Sequence, residues 1–457
     1  MKPFLLLALV AVLAACQSTT PKETKTETIR IVTLDPGHFH AALVQKQMYP
    51  NLDSSVHVYA PQSPDVQWHL DRVKGYNERT ENPTHWNEVV YTGADYLEKM
   101  IGEKAGNVVV IAGNNQKKTD YIVRALEAGF NVLADKPMVI TPADYQKLRK
   151  AFDIAGKNKL LLYDIMTERF EISTLLQREL SQMSAVFGVL ENGTPDNPAV
   201  TKESVHHFYK FVSGKALVRP AWFMDVTQEG EGIVDVTTHL VDLVQWECFP
   251  GQALDTADVT LTSAKRWPTS MTRHEFKSIT GLGEFPEYLL KDRVNDTTLQ
   301  IFSNGSIQYR LRGVHARVSV IWAYKAPEGA GDTHYSIMRG TKANLVIRQG
   351  AEQKYKPALY IEPTGQDPVT EAVLQAQFPT LAKKYPGITL AKNDKGWEVI
   401  IPDSYKEGHE AHFGRVTEHF LEYLKNGTLP AWEVPNMIAK YYTTTQALEL
   451  AKKNKTP

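Results

Sequence analysis

The chain has 457 residues, 42% of them hydrophobic, with 51 basic and 52 acidic side chains and a formal net charge of −1. That balance, without any basic cluster, excludes a nucleic-acid binder held by phosphate contacts. The length fits two or three domains, and two cysteines, Cys16 and Cys248, offer no disulfide framework once Cys16 is used otherwise.

Met1-Lys2 gives a positive start, Phe4 to Leu13 is an almost unbroken apolar run, and Ala14-Ala15 lead straight to Cys16. This is the order of a secretory signal, and the run is shorter than the roughly 20 residues of a membrane-spanning helix. Leu13-Ala14-Ala15-Cys16 resembles the bacterial lipobox. Residues 1–15 are therefore expected to be a cleaved lipoprotein signal, with Cys16 lipidated and the protein membrane-anchored on the periplasmic or cell-surface side. Residues 16–28, rich in Ser, Thr, Lys and Glu, read as a flexible tether. The leader carries no Arg-Arg pair, so export is expected to proceed unfolded.

From Ile29 the pattern alternates. Strands are predicted over Ile29–Leu34, Val56–Ala60, Asn107–Ala112, Asn131–Ala134 and Lys159–Tyr163. Helices fall over Phe39–Met48, Ala94–Ile101, Thr119–Ala128 and Pro142–Ala155. Short strands alternating with helices predict a parallel, doubly wound sheet, so residues 29–165 read as a Rossmann-type dinucleotide-binding domain.

After Glu168 the rhythm changes. A helix over Ile172–Ser184 precedes mostly strand-like segments: Ala185–Leu190, Ala257–Thr262, Thr298–Phe302, Ile307–Arg312, Val318–Ala323, Tyr335–Met338 and Ala343–Gln349. Asn304-Gly305 has the composition of a hairpin turn. Helical spacing returns over His409–Lys425 and Asn436–Lys452. Residues 166–457 are thus expected to form an α+β domain for substrate binding or oligomerisation, with a mainly antiparallel sheet and C-terminal helices. Cys248, near Trp246 and Phe249, reads as core filler.

A dinucleotide needs a glycine turn between the first strand and its helix, because backbone N–H groups must approach the pyrophosphate. Here the turn is Asp35-Pro36-Gly37-His38-Phe39-His40, where only the middle glycine of G-x-G-x-x-G survives, at Gly37. Ala60-Pro61-Gln62-Ser63 stands where an acid after the second strand would bind a ribose, so NAD and NADP are not distinguished. The second half of the domain is more specific. Gly113-Asn114-Asn115 follows a buried strand, and Ala125-Leu126-Glu127-Ala128-Gly129-Phe130-Asn131-Val132-Leu133-Ala134 leads to Asp135-Lys136-Pro137. This run closely resembles the Gfo/Idh/MocA oxidoreductases, named for glucose–fructose oxidoreductase and inositol dehydrogenase, with Asp135 in place of the family's glutamate. The resemblance spans most of Ile29 to about Thr260 and the C-terminus. It implies an NAD or NADP cofactor near Gly37, His38, Phe39, His40, Asn114, Asn115, Asp135, Lys136 and Pro137.

Asp235, His239, Asp242 and Trp246 recur at i, i+4, i+7 and i+11 within Gly230–Trp246, on one face of a predicted helix. A carboxylate one turn before a histidine can orient the ring and tune its charge. The resemblance extends here, with Asp235, His239 and Asp242 matching and Thr237 replacing the family's glycine. It implies His239 as acid/base, Asp235 as its partner and Lys136 as alkoxide stabiliser. It also covers Arg169-Phe170. Ser204 to Phe211 and Arg219 to Phe223 interleave aromatic with polar and basic groups, which suits a sugar ring. Arg169, His206, Tyr209, Lys210, Trp222 and Asp242 are the expected substrate contacts. His206-His207 lacks a second ligand pair at metal spacing, so no metal is expected.

Together these features predict an NAD(P)-dependent oxidoreductase acting on a secondary hydroxyl of a sugar or glycoside. In an exported protein its cofactor would be tightly held and self-regenerating, or reoxidised by a partner. The alternative is a non-catalytic glycan-binding lipoprotein that keeps the fold. Pairing of copies through the second sheet is a further expectation.

Overall fold

The computed structural model describes residues 28–212 and 215–454, so the signal, Cys16 and nearly all of the tether lie outside the described residues. The first domain is a six-stranded, all-parallel sheet. Its strands are β1 (Ile31–Leu34), β2 (Ser55–Ala60), β3 (Asn87–Thr92), β4 (Val108–Ile111), β5 (Asn131–Asp135) and β6 (Leu162–Ile165), in spatial order β3-β2-β1-β4-β5-β6. β1 and β4 are buried along their whole length, as strands covered on both faces must be, and this explains their unbroken Val/Ile/Leu runs. The strand order reverses between β1 and β4, which opens a crevice at their carboxyl ends.

Local chemistry sets the helices between these strands. Asn114 caps the helix Asn115–Glu127 by accepting the Gln116 N–H at 3.0 Å. Thr141 caps Pro142–Asn158, where proline at the first position costs no hydrogen bond. Two elements escaped the sequence reading, the helix Pro64–Glu78 and β3. β3 is an edge strand with mostly exposed side chains, so it lacks the apolar run that marked its neighbours. The helix expected over Phe39–Met48 is a single turn, His40–Leu43.

The second domain is built on a ten-stranded sheet among the described residues. Its main path runs Val259–Thr272, Thr298–Leu311, Val314–Lys325, Val200–Tyr209, Thr333–Arg339, Ala343–Arg348, Ala358–Pro363, Gly396–Ile400 and Thr389–Asn393. All pairings are antiparallel except that of Val200–Tyr209 with Val314–Lys325. The α+β expectation with a mainly antiparallel sheet therefore holds, with two local corrections. Ser184–Phe187 within the expected strand Ala185–Leu190 is a helical turn. Asn304-Gly305 is no hairpin turn but lies inside one long strand. A Cβ on Gly305 would sit 2.6 Å from Cβ of Ile233, so this glycine serves a close approach instead.

The helices Ile172–Ser181 and Thr237–Cys248 join their apolar side chains to those of this sheet in one core. The last two helices reach across the molecule. Phe413, Val416 and Phe420 of His409–Asn426 pack into the Rossmann core. The final helix, Glu433–Lys453, puts Met437 and Tyr441 in that core and Ala439, Ala447 and Leu448 in the second one. No helix among the described residues is long and apolar enough to cross a membrane.

A buried ionic cluster ties these elements together. Arg169 grips Asp242 through two bonds of 2.6 and 2.7 Å and reaches Glu433 at 2.8 Å. Lys440 bridges Asp242 at 2.9 Å and Asp164 at 2.7 Å, and the Tyr441 hydroxyl donates to Asp164 at 2.8 Å. Arg169 and Asp242, expected to bind substrate, are thus corrected to structural roles, since their polar atoms are consumed by one another and buried. Burial alone would raise the Asp242 carboxyl, but Arg169 and Lys440 outweigh it and hold it well below the usual carboxylate range. Asp242→Asn removes the carboxylate that Arg169 and Lys440 share, and should cost about 3–5 kcal/mol of stability, measured by urea unfolding.

Candidate active site

Between the two domains lies a cleft of about 1160 Å³. The Rossmann domain contributes His38, Phe39, His40 and Lys136 to its walls, and the second domain contributes Asp235 and His239. Lys136 follows the end of β5. Its ammonium donates to Asp235 Oδ1 at 2.5 Å, with side chains only 11% and 5% exposed. Burial penalises the charge of Lys136, yet Asp235, with Asp135 and Glu229 nearby, holds it above the ordinary lysine value. It therefore stays a cation inside the protein.

Asp235 reaches this position because the chain before it lies directly on the neighbouring strand. A Cβ on Gly232 would fall 1.8 Å from the Ser303 carbonyl oxygen, so only glycine permits the approach. Thr237, which replaces the family's glycine, is accommodated by donating its hydroxyl to the carbonyls of Gly232 and Ile233. The helix begins at Thr237, two residues past Asp235. The expected Asp235–His239 partnership is consequently absent: Lys136 is the partner of Asp235, and His239 Nδ1 has no hydrogen-bond partner among the described residues. Burial, then Lys136 and His409, hold the His239 imidazole well below its usual pKa, so it is neutral.

Of the expected substrate contacts, His206, Tyr209 and Lys210 line the cleft. They meet a residue that the sequence reading missed. Asp332 accepts from Lys210 Nζ at 2.8 Å and from the backbone N–H of His207 at 3.0 Å, and lies 3.3 Å from His206 Nδ1. The run Gly329-Ala330-Gly331 before it marked only a loop. Trp322 and Phe223 add an aromatic wall, with ring centroids 5.7 Å apart. Glu168 and His409, also unforeseen, stand on the same cleft.

Trp222 does not line this cleft. Its indole N–H donates to Asp65 Oδ2 at 2.8 Å, and its ring covers Gly37 closely enough to meet a Cβ there at 3.0 Å. The N–H groups of Gly37 and His38 both donate to the Ala112 carbonyl. Asn114 and Asn115 are engaged with Gln228 and Glu229 of the second domain. Asp135 faces His40, whose Nδ1 lies 2.9 Å from its Oδ2.

Residues 37–162 match the family described as "Oxidoreductase family, NAD-binding Rossmann fold", and residues 176–452 match "Putative oxidoreductase C terminal domain". The chain belongs to the Gfo/Idh/MocA oxidoreductases. A crystal structure of a "putative oxidoreductase" from Parabacteroides merdae is 56% identical, with a TM-score of 0.92 over 94% of this chain and 99% of that one. The fold is shared at low identity with a levoglucosan dehydrogenase in complex with NADH and levoglucosan (12% identity, TM-score 0.57, 93% of this chain and 97% of that one). It is shared likewise with a "putative myo-inositol dehydrogenase" from Sinorhizobium meliloti (14%, TM-score 0.54, 94% and 98%). No curated protein matches the chain.

In this Gfo/Idh/MocA chain, Phe39, His40, Lys136 and His239 face the open cleft and would hold the nicotinamide end of an NAD. Asp65, in the first turn of Pro64–Glu78, is the carboxylate after β2 that would face the adenosine ribose. The sequence reading stopped at Ser63, two residues short of it. The Trp222 indole donates to that carboxylate, and the void that Asp65 lines is about 20 Å³, so an adenosine held there would require side chains such as the indole to move. Trp222→Ala should speed the exchange of bound NAD(H) by roughly tenfold or more, read by stopped-flow NADH fluorescence; unchanged exchange would show that the indole does not gate the site.

Proposed function

We propose that this protein oxidises a secondary hydroxyl on a sugar or glycoside ring, using NAD. The observation that carries the reading is the Lys136–Asp235 pair at 2.5 Å, placed on one cleft with a neutral, buried His239. Bound NAD supplies the hydride acceptor that turns a carbinol into a ketone. Lys136, kept cationic by Asp235, donates a hydrogen bond to the substrate oxygen and stabilises the negative charge that develops there. His239 takes the hydroxyl proton, which its neutral imidazole can do without first losing one. The aromatic wall of Trp322 and Phe223 offers a face for the apolar side of a pyranose, while His206, Tyr209 and Lys210 reach hydroxyls. The named activity of the levoglucosan dehydrogenase supports the substrate class.

We further propose that the protein acts outside the cytoplasm, anchored through lipid on Cys16. The order Lys2, Phe4–Leu13, Ala14-Ala15-Cys16 supports this. A cover over the adenosine side suits a cofactor that is retained between turnovers, because no free dinucleotide pool is expected there. Cys16→Ser should abolish incorporation of labelled palmitate in cells, and unchanged labelling would exclude the anchor.

The catalytic reading is tested by denaturing the purified protein, measuring released NAD(H), and following nicotinamide fluorescence with glycosides. His239→Ala should lower kcat about 10²–10⁴-fold. Because the pKa of His239 is held well below 6.5, its base form persists as pH falls. The kcat/KM profile for oxidation should therefore stay flat down to about pH 6, with no limb near the ordinary histidine value. A limb centred at 6.5 would contradict the assignment. Absence of cofactor, of cofactor binding and of turnover would leave the glycan-binding alternative.

A further inference from the structure

We propose that His38, His40 and Asp135 bind a divalent transition-metal ion, with Zn²⁺ as the type, at the edge of the cleft beside Lys136. The three residues come from the turn after β1 and the end of β5, and the fold brings them together across nearly a hundred residues. One ligand atom from each lies within 4.8 Å of the others. Asp135 Oδ2 is 2.9 Å from His40 Nδ1 and 3.8 Å from His38 Nδ1. Metal–ligand bonds of about 2.0–2.2 Å around a tetrahedral ion separate the ligands by roughly 3.3 Å, so the observed distances straddle the required one. Small ring and carboxylate rotations close the difference.

Three features distinguish this cluster from an ordinary hydrogen-bonded trio. Asp135 is 3% exposed, and its Oδ1 has no partner among the described residues, leaving a buried anionic oxygen unused. Both histidines turn Nδ1 toward the same carboxylate oxygen. Their rings pack together, with the His40 centroid 3.9 Å from that of His38 and 4.5 Å from that of Phe413. Cations lie close by, Arg219 among them. Lys136 is paired with Asp235, and Lys118, which donates to the Asp135 carbonyl at 3.0 Å, has its pKa brought down to about 8 by burial.

Two histidines and one carboxylate with a free position are the ligand set of catalytic rather than structural ions. His38 and His40 both line the cleft, so the free position faces the space that a substrate enters. An ion there would bind and polarise an oxygen of the occupant. His40 also stands on the nicotinamide side of the cleft, and the test below uses no dinucleotide, so its outcome does not depend on the nicotinamide reading.

Untagged full-length protein is stripped with chelator and titrated with Co²⁺, then with Zn²⁺. The expected result is one equivalent of Co²⁺ per chain, the visible absorption of a low-coordinate ion, and its loss when Zn²⁺ displaces it. His38→Ala, His40→Ala and Asp135→Asn should each weaken binding at least ~100-fold, beyond the 10–100-fold typical of outer partners. His274→Ala, at an exposed site, should change nothing. Failure of the wild-type protein to bind stoichiometrically overturns the proposal even if the variants do not fold. Unchanged binding by a folded His38→Ala/His40→Ala protein, checked by circular dichroism, overturns it as well.

Discussion

The cleft exists because Arg169, Asp242, Lys440 and Asp164 cannot be buried separately. Each charge in this cluster would be strongly unfavourable away from water unless matched by opposite charge and by hydrogen bonds that use its remaining donors or acceptors. The four pair with one another, with Glu433 and Tyr441 joining the set, while Oδ1 of Asp164 and Oε2 of Glu433 have no partner among the described residues. They belong to the end of β6, the turn after it, the helix Thr237–Cys248 and the final helix. Satisfying them fixes those elements relative to one another, so the Rossmann sheet and the antiparallel sheet meet at one angle. Lys136 from the first domain can then touch Asp235 from the second.

The same economy of charge runs through the site. Asp235 keeps Lys136 ionised in a place where burial would otherwise penalise its charge. His239 gains nothing from that pairing and stays neutral. An acid/base group and an oxyanion stabiliser thus stand side by side in opposite protonation states, set by their surroundings rather than by intrinsic chemistry. Close backbone approach makes this possible. Gly232 against Ser303 and Gly305 against Ile233 leave no room for a side chain, and they seat the segment carrying Asp235 directly on the long strand Thr298–Leu311.

Around the dinucleotide turn, the loss of two glycines is compensated by contacts from the second domain. Trp222 covers Gly37, Gln228 holds Asn114, and Glu229 holds Asn115. The crevice that a Rossmann fold leaves open at its switch point is here partly closed by the protein's own chain. His38 and His40, which replace residues of a phosphate-binding turn, point instead toward Asp135.

Much of this was legible in the sequence, because some features are encoded locally. Buried parallel strands need unbroken apolar runs, so β1, β4 and β5 declared themselves. The family resemblance carried by the Asp-Lys-Pro run and by Asp235, His239 and Asp242 named Lys136, Asp235 and His239 before any contact was known. Edge strand β3 and the strands beyond Ala358 gave weaker patterns, since a half-exposed strand has little to distinguish it from a loop. What the sequence could not determine was which polar groups would find which partners. Spacing placed Asp235 beside His239 and Asp242 in the site, whereas the fold paired Asp235 with Lys136 and buried Asp242 against Arg169 and Lys440. It also brought Asp65 to Trp222, Asp332 to Lys210, and His40 to Asp135. Periodicity reports which face a side chain lies on. Only tertiary packing, which brings distant buried charges together, decides what that side chain meets.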